Sequence, residues 1–186
     1  GVVTLARPLV YRHVAEELDP KISRDDCAEH PSWCEKTQVR AEVGLLSRSI
    51  KVKGSNFMDG SGPAGSEGFG AQIMMAEKGK FSYVEFHWMG QAFQMGRYPI
   101  HYHLTGLNPT SYVKGCSLHT TFQRGITLHG THQAVLRDNV LYNHLAHGYF
   151  IEDGNEHDNV IERNLGMMSH ISLSMLSSDQ TPATFW

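Results

Sequence analysis

The sequence predicts an all-β chain, a right-handed parallel β-helix that forms a fragment of a longer solenoid. Three observations carry that expectation. Short segments recur at a fixed interval, apolar runs alternate with turn residues from residue 71 to the end, and no stretch has the periodicity of a long amphipathic helix. The clearest copies are YVKGCSLH (112–119), AVLRDNVL (134–141) and NVIERNLG (159–166). They align Cys116, Asn139 and Asn164, which are 23 and 25 residues apart. A second register sets GITLH (125–129) over GYFIE (148–152), and YVEF (83–86) reads as an earlier copy. So short a period does not fit a helical hairpin, but it suits a coil in which every turn contributes short strands and shares its apolar face with its neighbours. The competing fold is a β-sandwich with chance spacing.

Taken in order, residues 1–15 alternate apolar and polar positions and read as strands. Residues 16–38 are polar, carry two X-Pro steps and read as a surface excursion. Within it Cys27 and Cys34 are seven residues apart, a spacing that suits a small disulfide-closed loop; two free surface thiols are the alternative. Residues 39–53 return to strand-like alternation. Between 54 and 70 the repeated glycines (Gly54, Gly60, Gly62, Gly65, Gly68 and Gly70) make a loop. Beyond it the repeat takes over. Stacked on successive turns, Asn139 and Asn164 are expected to form an inward amide ladder with Cys116 in the same column, and Cys116 is expected to be buried and inert.

With 40% hydrophobic and 19% charged residues the chain is globular rather than disordered. Its net charge is −3 and it has no block of Lys and Arg, which argues against a nucleic-acid partner. No apolar run approaches the roughly 20 residues a membrane span needs. The first residues resemble no signal peptide, and both ends read as interior points of a longer chain. Twelve His are unusual at this length and supply positive charge under mildly acidic conditions.

Several runs have more specific wording: FSYVEF (81–86), GQAFQMGRYPIHYH (90–103), YVKGCSLH (112–119), FIEDGNEH (150–157), TPATFW (181–186) and VGLLSRSIKV (43–52). Together they resemble the fibrocystin-L-like family, which includes fibrocystin, the transmembrane cell-surface hyaluronidase and the cell-migration-inducing hyaluronan-binding protein. The resemblance covers about residues 39–186 and leaves the 16–38 excursion unmatched. It implies parallel β-helix repeats within a large secreted or single-pass surface protein. It leaves activity open, because the family joins coat- or receptor-like members to hyaluronan-processing ones.

Strand alternation puts His101 and His103 on one face. Aligning Ile100 with Ile126 and Tyr149 then places His103, His129 and Glu152 in one column on successive turns, with His101 beside them. Two His and a carboxylate are a set that can hold a divalent metal, with His101 and Asp153 as further ligands. The same set can move protons in glycan cleavage, with Arg97 neutralising a uronate carboxylate. Stacked polar residues also do neither, and simply hydrogen-bond one another at a bend. The leading expectation is therefore a scaffold or ligand-presenting segment that works with flanking domains of the same chain. Acidic-glycan depolymerisation and non-catalytic binding of glycan or other surface proteins are the alternatives. FIEDGNEH lacks the alternating Asp spacing of a calcium loop. Tyr98, Tyr102, Trp88 and Phe93 read as core before they read as a sugar platform.

Overall fold

The computed structural model describes residues 4, 6–8, 10–11, 15–18, 28, 37–55, 57–58, 68–173 and 176–186. The chain divides into two compact units, Gly1–Val43 and Gly44–Trp186. In the first, β1 (Ala15–Leu18) pairs antiparallel with β2 (Thr37–Arg40), in register from Ala15↔Arg40 to Leu18↔Thr37. Cys27 and Cys34 lie outside the described residues, and so does most of the 16–38 excursion. Of the one helix expected over residues 1–186, with its surface insertion at about 16–38, the parallel pairing is described from β3 (Ile50–Lys53) onward. Helical stacking needs parallel pairing, and the described strands of the first unit pair only with each other, in the antiparallel sense.

The second unit holds the repeat. Its strands are β3 (Ile50–Lys53), β4 (Phe57–Met58), β5 (Gly68–Phe69), β6 (Ile73–Met75), β7 (Lys80–Ser82), β8 (Val84–His87), β9 (Ile100–Leu107), β10 (Tyr112–Lys114), β11 (Ser117–Thr121), β12 (Ile126–His132), β13 (Val135–Arg137), β14 (Val140–Leu145), β15 (Tyr149–Ile151), β16 (Val160–Glu162) and β17 (Leu165–His170). Apart from the short antiparallel pair β4–β5 across the Gly-rich segment, they form three parallel sheets. One sheet contains β7, β10, β13 and β16; a second contains β3, β8, β11, β14 and β17; a third contains β6, β9, β12 and β15. From β7 onward the chain visits the three sheets in the same order on every turn, as a parallel β-helix must.

Each sheet sends one side of its alternation inward. Val113 and Leu136 from the first sheet, Phe86, Leu118 and Leu141 from the second, and Ile100, Tyr102, Ile126 and Leu128 from the third are all fully buried in one core. Burying each such side chain stabilises the fold by about 1.5–3 kcal/mol relative to leaving it in water. The Tyr102 hydroxyl finds a partner inside, donating to the Gly79 carbonyl at 2.8 Å.

The corner between first and second sheets is a single left-handed residue on each turn: Tyr83, Gly115, Asp138 and Arg163, all with φ between 52° and 62°. Such a corner turns the strand sharply and leaves backbone groups unpaired; on two turns the residue after it is an Asn, whose side chain satisfies the groups at the corner one turn earlier. Asn139 Oδ1 accepts from the Cys116 N–H at 2.9 Å, while its Nδ2 donates to the Val113 carbonyl at 2.8 Å and to Asn164 Oδ1 at 3.0 Å. Asn164 repeats the pattern one turn later, accepting from the Asn139 N–H at 3.0 Å and donating to the Leu136 carbonyl at 2.9 Å. Cys116 heads the column with a buried thiol. Asn159 closes a different corner in the same way, between the Ala134 N–H and the Thr131 carbonyl.

Candidate histidine and carboxylate site

The outward side of the third sheet carries the site. Register pairs Ile100 with Ile126 and Ile126 with Tyr149, and it sets His129 directly over His103. The Glu152 N–H donates to the Leu128 carbonyl at 3.0 Å, which continues the ladder and brings Glu152 into the same column. His103 Nδ1 is 3.1 Å from His129 Nδ1. Glu152 Oε2 is 3.8 Å from His129 Nδ1 and also 3.8 Å from His101 Nε2. The three His can each present one ring nitrogen so that all lie within 4.8 Å of one another.

His101 faces outward yet is only 1% exposed. The segment before β9 folds over it. His101 Nδ1 lies 2.9 Å from the Gly96 carbonyl and can only donate there, which leaves Nε2 as the lone-pair nitrogen. Gly96 has φ +77°, a conformation that favours glycine. The Tyr98 ring packs on the His101 ring with centroids 4.8 Å apart. Burial pushes the His101 pKa down to about 4, so the ring is neutral at physiological pH.

A second layer fixes Glu152. Arg124 is fully buried; its Nε and Nη2 donate to the two carboxylate oxygens of Asp179, each at 3.0 Å. Its Nη1 donates to the Tyr98 hydroxyl at 2.9 Å and lies 3.7 Å from Glu152 Oε1. The Tyr98 hydroxyl in turn donates to Glu152 Oε1 at 3.3 Å. Burial raises the Tyr98 pKa to about 12, which keeps that proton in place. Asp179 sits in the 3-10 turn Ser177–Gln180 and also faces His147 Nε2 at 3.6 Å. The Arg124 guanidinium is stacked on Phe150 at 4.2 Å.

The structure thus brings His101, His103, His129 and Glu152 together, with Asp153 alongside, but not Arg97. Arg97 is exposed and has no ion-pair partner among the described residues; the cation beside Glu152 is Arg124. Asp153 is placed differently from a shared ligand. Its Oδ2 lies 3.3 Å from His129 Nε2, on the opposite edge of the ring from the nitrogen that faces Glu152. Tyr98 and Tyr102 are buried rather than displayed.

A similar trio, Glu85, His87 and His119, stands on the outward side of the second sheet. Both Glu85 oxygens are already engaged, by the Arg48 N–H at 3.0 Å, Lys51 Nζ at 3.1 Å and His119 Nε2 at 3.2 Å. Burial alone would raise its pKa, but these hydrogen bonds outweigh burial and hold it at about 2. That trio is a satisfied ion-pair network.

Residues 68–185 match the family model described as CEMIP beta-helix. The chain belongs to this family. Fibrocystin-L of Mus musculus is 34% identical over 219 aligned residues, which cover 99% of this chain and 5% of that protein. The cell surface hyaluronidase CEMIP2 of Homo sapiens is 37% identical over 152 residues, 70% of this chain and 10% of that protein. The human cell migration-inducing and hyaluronan-binding protein is 33% identical over 201 residues, 96% of this chain and 13% of that protein. The chain therefore spans only a small part of the length of these relatives.

In this CEMIP beta-helix, sequence reasoning missed Arg124 and Asp179 as partners of the column. Arg124 sits just before β12 in QRGITLH (123–129) and has the signal of any strand-flanking cation. Only its complete burial marks it. Asp179 is 55 residues away along the chain, and no spacing rule joins the two.

Proposed function

We propose that this segment is a ligand-presenting β-helix of a cell-surface protein, and that the face made by His101, His103, His129 and Glu152 engages an acidic glycan of the hyaluronan class. The observation that carries the reading is the stacking of His103, His129 and Glu152 in one outward column, with Glu152 tied to the helix through Tyr98 and Arg124. A rigid, laterally stacked surface suits a linear polymer, whose repeat runs along it. Two relatives point the same way by name: one is a cell surface hyaluronidase and another is hyaluronan-binding.

Cleavage is the second reading, and one observation favours it. His103 and His129 are partly exposed and share a hydrogen bond, so one can hold a proton while the other accepts one, beside a carboxylate. Size-resolved incubation of the full natural chain with hyaluronan, beside a His103→Ala, His129→Ala double variant, separates the readings. Binding without chain shortening, lost in the folded double variant, is the expected result. Shortening that the variant loses replaces presentation with hydrolysis. Neither binding nor shortening removes the glycan reading.

A further inference from the structure

The column has the donor geometry of a metal centre, with an outer shell already in place. His101 Nε2 and Glu152 Oε2 are both buried and have no hydrogen-bond partner among the described residues, although they are 3.8 Å apart. Two buried polar atoms left unmatched destabilise the fold unless something satisfies both. His129 Nδ1 lies 3.8 Å from Glu152 Oε2 and 3.1 Å from His103 Nδ1, and one ring nitrogen from each of His101, His103 and His129 comes within 4.8 Å of the other two. A tetrahedral ion with bonds of about 2.0–2.2 Å to nitrogen and oxygen sets neighbouring ligand atoms roughly 3.3–3.6 Å apart. The separations of 3.1 and 3.8 Å lie on either side of that range, and an ion held by all four groups would draw Glu152 toward His103.

The opposite ring edges are arranged as metal-bound imidazoles require. His101 Nδ1 donates to the Gly96 carbonyl, and His129 Nε2 lies 3.3 Å from Asp153 Oδ2. These contacts fix each tautomer with its lone pair turned toward Glu152. Glu152 keeps its other oxygen for Tyr98 and Arg124, so it enters as a one-oxygen ligand.

We infer that His101 Nε2, His103 Nδ1, His129 Nδ1 and Glu152 Oε2 bind one tetrahedral divalent transition metal of the zinc class, with Asp153 and the Gly96 carbonyl as outer-shell partners. The inference rests on the same face proposed to engage glycan, and it changes the expected ligand set, since Asp153 orients His129 instead of binding. Nitrogen-rich donors at this spacing select zinc-like ions over calcium or magnesium, which take oxygen.

The test is zinc binding and cobalt(II) spectroscopy on the metal-stripped full natural chain. One equivalent of zinc bound, and intense visible absorption from tetrahedral cobalt(II) that zinc bleaches, are expected. His103→Ala and Glu152→Gln each weaken zinc affinity by more than about 100-fold, while Asp153→Asn weakens it by about 10–100-fold. His157→Ala, in the exposed His132–His157 stack, leaves it unchanged. Unchanged zinc binding in folded His103→Ala or Glu152→Gln overturns the inference, as does a weak, six-coordinate cobalt(II) spectrum. Hyaluronan binding that persists in a chain taking up no metal removes this inference alone. Zinc uptake without hyaluronan binding removes only the glycan reading.

Discussion

At the residue scale, the asparagine ladder shows how one side chain satisfies several backbone groups. Asn139 is 1% exposed and bonds the Cys116 N–H and the Val113 carbonyl, which flank the corner that left-handed Gly115 turns one turn earlier. Asn139→Ala strands both groups, at about 1–3 kcal/mol each. Its denaturant midpoint should fall well below that of Asn159→Ala, since Asn159 is only half-buried; equal midpoints would remove the ladder's special weight. The ladder was legible because Asn recurs at the repeat interval. The tie between Arg124 and Asp179 was not legible, because a buried ion pair across 55 residues leaves no periodic trace.

At the element scale, neighbouring turns approach so closely that some positions admit no side chain. A Cβ on Gly125 would stand 2.7 Å from the Gly148 carbonyl oxygen and 2.6 Å from Leu141 Cδ2. Backbone on one side and core on the other leave little room to yield. Gly125→Ala is expected to cost about 1–3 kcal/mol, the range for overpacking, read as a drop in thermal midpoint. An unchanged midpoint would mean that β12 and β15 can part without loss. Strand positions within the repeat follow from its period. The antiparallel β1–β2 pair does not, because its strands are joined across an excursion with no recurring pattern.

At the scale of the whole molecule, buried histidines make stability depend on pH. Burial holds His144 at about 4, against 6.5 for a free imidazole, with its Nε2 3.0 Å from the Ser169 hydroxyl. The unfolded chain takes up a proton below pH 6.5 that the folded chain refuses until about pH 4, so stability falls across that window and is full above it. Glu85, held at about 2 against 4.5, adds a second loss between pH 4.5 and 2 as its hydrogen-bonded carboxylate is protonated. Thermal midpoints measured from pH 8 to 4 should be level above 6.5 and decline below it, and His144→Leu should decline less steeply. A wild-type midpoint that stays level down to pH 4.5 would contradict this.

The sequence by itself determined the parallel helix and the placing of His103, His129 and Glu152 in one column. Both follow from a local rule: a strand alternates every two residues, and a turn must meet its neighbour in register, so a period in the twenties carries three-dimensional information. Only the tertiary structure decided which atoms face one another. The fold of the Gly96–Tyr98 segment over His101, the ring edge that His129 turns to Glu152, and the choice of Arg124 over Arg97 depend on how loops of irregular length close against the sheet. Packing between distant segments sets those contacts, and no repeat in the chain encodes it.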